Sequence, residues 1–257
     1  MSVTKYHTYV GQSNMSLSVP VVQDAATSLE SRGVAHVKNL LPVDELLKLR
    51  TELQTCHNTF TSVSENVTTK SDSAGLIREI AGLVNYSSLF ARSDVYQKCS
   101  QLASTLFGRT ARYGHDEAIF KAPGGESVQW HQDQVYSKYD RDKQCVSIWI
   151  PLQDTDTSNG GMEYVINSKD RLLGHERVSS DSFMYRVTQN QLDNAETISP
   201  VMKLGDVCVH TPLCVHRSLP NSGADLRIAW ILQFNKYGVS RFLRWNNLKQ
   251  YIPQLSE

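Results

Sequence analysis

His131 and Asp133 lie two residues apart in the stretch QWHQDQVY, residues 129–136. Successive side chains of an extended chain point to opposite faces, so an imidazole and a carboxylate at this spacing project together. Such a pair can hold a metal ion, relay a proton, or lie on a sheet without a chemical role. The choice among these depends on what the rest of the chain supplies.

A second group of chemically capable residues lies nearer the carboxyl end of the chain. His216 and Ser218 repeat the two-residue spacing, and Arg227 opens the apolar run RIAWILQF after the turn-like PNSGAD. Two histidines and one carboxylate on one face of a metal leave adjacent coordination positions open, which is the arrangement of non-haem Fe(II) oxygenases. His210 competes with His216 for this role. The following serine and the spacing to Arg227 favour His216.

Composition limits the partners of the chain. Lys+Arg and Asp+Glu balance at 26 each over 257 residues, and no stretch concentrates basic charge, so we expect neither a nucleic-acid nor a membrane partner. The five cysteines include no CxxC, which predicts neither a disulfide framework nor a thiolate zinc site. The sequence has no apolar run of membrane-spanning length and no secretory signal. We expect a cytoplasmic protein with a small-molecule substrate.

The elements that must position these residues fall into two parts. Apolar residues at helical spacing predict helices within 21–33, 41–54 and 88–108, while the Ser-, Thr- and Asn-rich stretch 59–85 is expected to be loop. Short apolar or alternating runs separated by Gly, Asn and Asp predict many strands after this. These runs are 110–121, 127–131, 144–152, 161–166, 197–204, 206–210, 214–219 and 226–236.

The chain resembles the phytanoyl-CoA dioxygenase family of Fe(II)/2-oxoglutarate oxygenases, and four segments carry the resemblance in order. SLESRGVAHVKNLLPVDELLKLRTEL resembles the family's opening helix, strand and helix, and IFKAPGGESVQWHQDQVY resembles its Lys-x-Pro segment running into the WHQD motif. VSIWIPLQDTDTSNGGMEYVINSKDR resembles the Trp-bearing strand with its Asn-Gly hairpin. GDVCVHTPLCVHRSLPNSGADLRIAW resembles the distal-histidine strand with its co-substrate arginine. Each is weak alone, and together they make the resemblance specific.

This resemblance implies a mainly β fold with flanking α-helices: a double-stranded β-helix (jelly roll, cupin-like) with N-terminal helices packed on one sheet. We expect one domain over 1–257, with a helical part at about 20–108 and the jelly-roll core at about 110–237.

The resemblance also implies roles for the site residues. His131, Asp133 and His216 would bind Fe(II) and form the catalytic centre. Arg227 would pair with the distal carboxylate of 2-oxoglutarate, helped by the Ser218 hydroxyl. A guanidinium fork fits a carboxylate bidentately, which a lysine cannot reproduce.

Three further residues are implied as binding the co-substrate. Trp149 matches a family position near the co-substrate and offers its indole N–H. Lys121 and Gln129 lie on the strand leading into the HxD pair. Arg241 and Arg244 are alternative partners for the carboxylate, although their SRFLRW context favours a solvated segment.

The implied function is oxidation of a C–H bond in a small organic molecule by Fe(II), 2-oxoglutarate and O₂, most simply hydroxylation, with release of succinate and CO₂. The alternative is the same oxidative chemistry giving desaturation, epimerisation or cyclisation in secondary metabolism. The presence of Asp133 disfavours a halogenase, because related halogenases lack this carboxylate. A zinc hydrolase or lyase on the same ligands is a more distant alternative, as is a non-catalytic binding protein.

Two polar segments are long for connections, 134–143 and 167–196. Long loops on a rigid scaffold often carry function, so we expect them to cover the active site and set substrate choice. Trp130, Tyr136 and Tyr139 are expected to be core or lid aromatics, with a cage for a cationic substrate as the alternative.

Overall fold

The computed structural model describes residues 18–59, 68–72, 74–137, 139–140, 144–179, 184–188, 190–237 and 243–244. The helices are α1 (Val19–Arg32), α2 (Val43–Thr59), α3 (Leu83–Tyr86), α4 (Ser88–Ala91) and α5 (Asp94–Phe107), and a 3₁₀ helix spans Asp133–Tyr136. The strands of the first half are β1 (Val34–Val37), β2 (Thr68–Ser71), β3 (Ile77–Ala81), β4 (Arg112–Lys121), β5 (Val128–His131) and β6 (Tyr139–Asp140). Those of the second half are β7 (Cys145–Pro151), β8 (Met162–Val165), β9 (His175–Arg177), β10 (Tyr185–Val187), β11 (Thr197–Ile198), β12 (Val207–His210), β13 (His216–Ser218), β14 (Arg227–Asn235) and β15 (Leu243–Arg244).

A seven-stranded antiparallel sheet forms one wall of the molecule, in the order β1-β12-β7-β14-β4-β3-β2. Its central strands β7 and β14 are buried at every residue. The helices cover one face of this sheet, where Leu49 of α2 and Leu102 of α5 share a core with Phe120 and Trp230. Burial on both faces explains why these strands read as continuous apolar runs in the sequence.

A four-stranded sheet, in the order β11-β8-β13-β5, faces the other side of the large sheet. Trp149 and Ala229 of the large sheet pack there with Met162 and Tyr164 of the small one. Two facing antiparallel sheets with helices outside one of them confirm the predicted jelly roll and the predicted packing of the N-terminal helices.

The prediction of loop over 59–85 is wrong for β2 and β3, which extend the large sheet beyond β4. Thr68–Ser71 is polar because it forms the edge of the sheet, so it carries no apolar signal. The predicted helix 88–108 is divided at Ser93, whose hydroxyl caps α5 by accepting from the Tyr96 backbone N–H. The run 197–204 is a strand only at Thr197–Ile198.

The segment 167–196, expected to be loop, contains the short strands β9 and β10, which pair with each other. Arg241 and the side chains of Tyr139 and Arg244 lie outside the described residues, as do 138, 141–143, 180–183 and 189. None of the helices in the described parts of the chain is long and apolar enough to cross a membrane.

Candidate metal centre

The two histidines of the site are direct neighbours across strands of the small sheet. His131 ends β5, His216 begins β13, and the antiparallel register pairs them with ring centroids 4.3 Å apart. Gln132 is extended, with φ −120° and ψ 131°, so the alternation of side chains continues to Asp133 at the start of the 3₁₀ helix. Potential ligand atoms of His131, Asp133 and His216 all lie within 4.8 Å of one another.

Gln132 anchors the chain between the two ligands. Its buried amide accepts from the Leu173 backbone N–H at 2.7 Å and donates to the carbonyls of Arg171 and Leu213 at 2.8 and 2.5 Å. Its own backbone N–H donates to His175 Nε2 at 3.2 Å. The residue therefore ties the HxD segment to the loops before β9 and before β13.

Both histidines of the cluster make backbone contacts that favour the tautomer a metal would require. His131 Nδ1 lies 2.7 Å from the Gln129 carbonyl oxygen, and His216 Nδ1 lies 2.9 Å from that of Cys214. A carbonyl only accepts, so Nδ1 carries the proton and the Nε2 lone pair remains for a ligand bond. The two Nε2 atoms lie 3.8 and 3.4 Å from Asp133 Oδ1.

The charge states also suit a metal. Burial alone would raise the pKa of Asp133, but interactions with His216, His210 and His131, including a hydrogen bond from His210, hold that pKa well below its usual value. Burial, followed by the neighbouring His131 and His210, lowers the pKa of His216 well below its usual value. Neutral imidazoles and one ionised carboxylate are the donor set of a facial iron site.

The second oxygen of Asp133 is held from the large sheet. Ser147 Oγ donates to Oδ2 at 2.7 Å, and His210 Nε2 lies 3.2 Å from the same oxygen. Ser147 and His210 are paired residues of β7 and β12. His210 therefore lies beside the site and is not among the three clustered residues. No sequence pattern indicates Ser147, because its contact with Asp133 depends on strand register.

Two buried basic side chains lie at one end of the site. Lys121 and Arg227 are paired residues of β4 and β14, exposed by only 0% and 2%. No ion pair between described residues involves either of them. Arg227 Nε has no hydrogen-bond partner in the described structure. Uncompensated buried charge is costly, so this end fits a carboxylate ligand.

Lys121 is oriented toward Ser218. Its Nζ donates to Ser218 Oγ at 2.9 Å and to the Leu219 carbonyl oxygen at 2.6 Å. Burial, and then the charge of Arg227, lower the pKa of Lys121 to about 6. Burial lowers the pKa of Arg227 to about 10. Gly160, at φ +82°, leaves room for both side chains: a Cβ there would lie 3.2 Å from Arg227 Nε and 3.3 Å from Lys121 Cδ.

Trp149 and Gln129, the other two residues expected to bind the co-substrate, differ in burial and in their distance from the cavity. Trp149 is buried, and its ring centroid lies 5.9 Å from Cζ of Arg227. The Gln129 side chain is exposed and is not among the residues lining the cavity, although its carbonyl orients His131.

A cavity of about 400 Å³ is lined by the three clustered residues and by Ser218, Trp149 and Arg227, whereas Lys121 lies behind its lining. Tyr136 and Met184, from the two segments expected to cover the site, line it; Trp130 does not, and instead packs under the Arg217 guanidinium at 4.5 Å. The opposite wall carries Glu79 and Glu117. The sequence does not indicate this wall, because Glu79 lies in the stretch expected to be loop and Glu117, in the predicted strand run 110–121, belongs to no distinctive pattern.

This wall is polar, and its charged side chains lie close to one another. Lys70 Nζ lies 3.4 Å from Glu79, and His115 Nε2 lies 3.6 Å from Glu117. Burial and then the charge of Glu117 raise the pKa of Glu79 to about 7. The side of the cavity formed by β2, β3 and β4 therefore presents charged groups to whatever enters.

Comparison with known proteins places these features in a family. The family model described as Phytanoyl-CoA dioxygenase (PhyH) matches residues 29–229. A probable alpha-ketoglutarate-dependent hypophosphite dioxygenase of Stutzerimonas stutzeri is 27% identical over 132 residues, which are 49% of this chain and 45% of the relative. A phytanoyl-CoA dioxygenase of Arabidopsis thaliana is 29% identical over 138 residues, 52% and 48% of the two chains. The aligned parts thus span just under half the length of these curated relatives.

Solved structures share the fold. The epimerase SnoN, in complex with Fe3+, alpha-ketoglutarate (2-oxoglutarate) and nogalamycin RO, superposes with a TM-score of 0.70 over 85% of this chain and 84% of that chain, at 17% identity. EvdO2 from Micromonospora carbonacea var. aurantiaca, complexed with 2-oxoglutarate, gives a TM-score of 0.69 at 19% identity, covering 86% and 91% of the two chains.

Proposed function

This chain belongs to the phytanoyl-CoA dioxygenase family of iron- and 2-oxoglutarate-dependent oxygenases, and we propose that it oxidises a C–H bond of a small organic molecule, with hydroxylation as the simplest outcome. One observation carries the proposal. A single cavity is lined by the two-histidine, one-carboxylate set and by Arg227, a buried arginine that has no ion pair in the described structure and is paired across the strands with the buried Lys121.

His131, Asp133 and His216 would hold the iron. Their donor atoms fit it, because each Nδ1 is directed to a backbone carbonyl, which leaves Nε2 for a metal, and the pKa of Asp133 is held well below its usual value. Iron with 2-oxoglutarate supplies the O₂-dependent oxidation, in which the keto acid leaves as succinate and CO₂. Three ligands on one side leave adjacent positions for the co-substrate.

Arg227, Lys121 and Ser218 would hold the distal carboxylate of 2-oxoglutarate. The guanidinium offers an unpartnered Nε, and the Lys121 ammonium already lies against the serine hydroxyl. A planar fork and a point charge on one carboxylate fix both its position and its direction. Trp149 would close the side of this pocket.

The remaining wall would position the substrate. Glu79 and Glu117 suit a polar substrate with hydrogen-bond donors or a positive group, while Ile119 and Ile231 supply apolar contact. Tyr136 reaches over from the segment after the HxD pair, and its hydroxyl accepts from the Tyr185 backbone N–H at 3.0 Å. This contact links the two covering segments and would help to exclude water from the reacting C–H bond.

A zinc hydrolase would use the same three ligands but would have no use for Lys121 and Arg227. The buried cations therefore disfavour it. Desaturation, epimerisation and cyclisation begin with the same oxidation and differ in the product, so product analysis separates them from hydroxylation.

The test is an anaerobic titration with Fe(II) and then 2-oxoglutarate, following the weak visible charge-transfer band of the chelate. We expect the band in the wild-type chain and no iron binding in His216→Ala. Arg227→Ala should bind iron but require at least about tenfold more 2-oxoglutarate, because its charge-assisted hydrogen bonds are lost. Arg217→Ala is the matched control: it removes an arginine that pairs with Glu163 and stacks on Trp130.

Iron binding without a band in the wild type would contradict the co-substrate assignment and make the zinc hydrolase the better interpretation. A band in the wild type leads to a substrate screen by succinate release.

A further inference from the structure

Asp133 carries two oxygens in different surroundings. Oδ1 lies 3.4 and 3.8 Å from the Nε2 atoms of His216 and His131, whereas Oδ2 is contacted by Ser147 and His210. A metal bound by the two Nε2 lone pairs would therefore meet Oδ1. The lone pairs of Oδ2 are occupied by donors from the opposite sheet.

His210 has the opposite tautomer from the two ligand histidines. A carboxylate only accepts hydrogen bonds, so the proton of the bond to Asp133 Oδ2 lies on His210 Nε2. Its Nδ1 is buried and has no partner in the described structure. His131 and His216 instead donate from Nδ1 to the backbone and keep Nε2 free. Of the three adjacent imidazoles, two thus keep Nε2 for a metal and the third donates a hydrogen bond from Nε2.

The donor pair belongs to the buried part of the large sheet. Ser147 and His210 are paired residues on β7 and β12, and both residues are 2% exposed. The metal ligands belong to the small sheet and the 3₁₀ helix. The large sheet therefore contacts the ligand set at Asp133 Oδ2 and also through the His210 ring, whose centroid lies 4.4 Å from that of His216.

We propose that His210, together with Ser147, restricts Asp133 to one coordinating oxygen, so that His210 is a positioning residue of the metal site and not a ligand. The inference rests on the proposed function. It goes beyond it by assigning a role to a histidine outside the ligand set. Without the two donors, Oδ2 can turn toward the metal or the carboxylate can rotate away, and either change alters the coordination positions left open. Outer hydrogen-bond partners of metal ligands commonly change metal affinity 10- to 100-fold when removed.

The experiment is a titration of the full chain with Co(II), whose visible spectrum reports coordination number, without turnover. His210→Phe keeps a ring and removes the donor; we expect affinity about 10- to 100-fold weaker and an altered spectrum. His210→Gln places an amide N–H near the position of Nε2 and should restore the spectrum and most of the affinity. Ser147→Ala should change both in the direction of His210→Phe. Thr211→Val is the control, because the Thr211 hydroxyl has no partner among the described residues.

The outcomes separate the possible failures. Unchanged affinity and spectrum in His210→Phe would overturn the inference while leaving the metal site intact. Equal loss in His210→Gln and His210→Phe, with Ser147→Ala unchanged, would make His210 a ligand and would also overturn it. If circular dichroism shows that His210→Phe does not fold, the Ser147→Ala variant is the test. An unchanged Co(II) spectrum and affinity in Ser147→Ala would then overturn the inference. Undiminished binding in His216→Ala would instead contradict the proposed function.

Discussion

The protonation state of Lys121 is expected to change when the co-substrate binds. Its ammonium is fully buried beside Arg227 and in contact with Ser218, and its pKa is lowered to about 6. Above that pH the amine of the free protein is mostly neutral. A carboxylate bound beside it favours the charged form and raises the pKa in the complex.

We therefore predict that 2-oxoglutarate binding takes up a proton at pH 8. The affinity should fall as pH rises from about 6 toward the raised pKa of the complex, because the proton must come from increasingly dilute solution. Calorimetry of Co(II)-loaded protein in two buffers of different ionisation enthalpy measures this uptake. Lys121→Met should bind without it. Identical heats in both buffers for the wild type would contradict the prediction.

Single residues also mark the limit of sequence reasoning. His131, Asp133 and His216 were found because their types and spacing are distinctive, and the structure brings their side chains together. Ser147 could not be assigned, and His210 could only be set aside as a ligand, because their contact with Asp133 depends on the register of β7 against β12 and on how the two sheets face each other. The roles of Gln129 and Trp149 stay predictions.

Among the elements, β4 carries a buried carboxylate, that of Asp116, which adds side-chain hydrogen bonds to the strand pairing with its neighbours. It accepts from the backbone N–H groups of Leu83 and Val84 at the start of α3, from Tyr113 Oη, and from Trp230 Nε1 of β14. The carboxylate therefore serves as an acidic cap for a short helix and as a cross-strand tie.

Asp116→Ala should lower the free energy of unfolding by about 2–4 kcal/mol, because it leaves the indole and amide donors without an acceptor. Asp116→Asn keeps one acceptor oxygen and should cost less than half as much. Asp24→Ala, an exposed aspartate of α1, is the control and should stay within about 0.5 kcal/mol. Urea denaturation measures all three. Equal stability of the wild type and Asp116→Ala would show that water replaces these bonds.

Element prediction from sequence succeeded where burial imposes a pattern. The continuous apolar runs gave β7 and β14, and helical spacing gave α1, α2 and α5. It failed at β2, a polar edge strand whose side chains carry no period, and at β3, whose five residues IREIA do not alternate regularly between buried and exposed. Pairing with β3 and with β4, respectively, supplies their extended conformation. Glu79 of the cavity wall was missed with β3.

The whole molecule divides its chemistry between two sheets. The small sheet, with the adjoining 3₁₀ helix, supplies the candidate metal ligands, and the large sheet supplies Arg227 and Lys121, and the donors to Asp133. A bound metal should therefore stabilise more than the small sheet, by mass action on the folded state.

We predict that Co(II) slows backbone hydrogen exchange in β5 and β13 and also in β7 and β12. In the double variant Ser147→Ala with His210→Phe, the slowing should be confined to β5 and β13, because the tie through Asp133 Oδ2 is gone. Exchange mass spectrometry with and without Co(II) makes the measurement. Protection confined to the small sheet in the wild type would contradict the prediction.

The charges that line the cavity are distributed unevenly between its two ends. Arg227 pairs with Lys121, which lies four residues from Glu117 on β4, so roughly 13 Å along the strand separates the positive end of the cavity from Glu117. Glu79 lies on the same wall as Glu117, and Lys70 and His115 partly offset these two carboxyl groups. Within a low-dielectric space such a gradient acts on dipoles as well as on charges. A substrate whose two ends differ in charge is therefore oriented as it enters the cavity. Its orientation over the three candidate ligands is expected to follow from its own charge distribution.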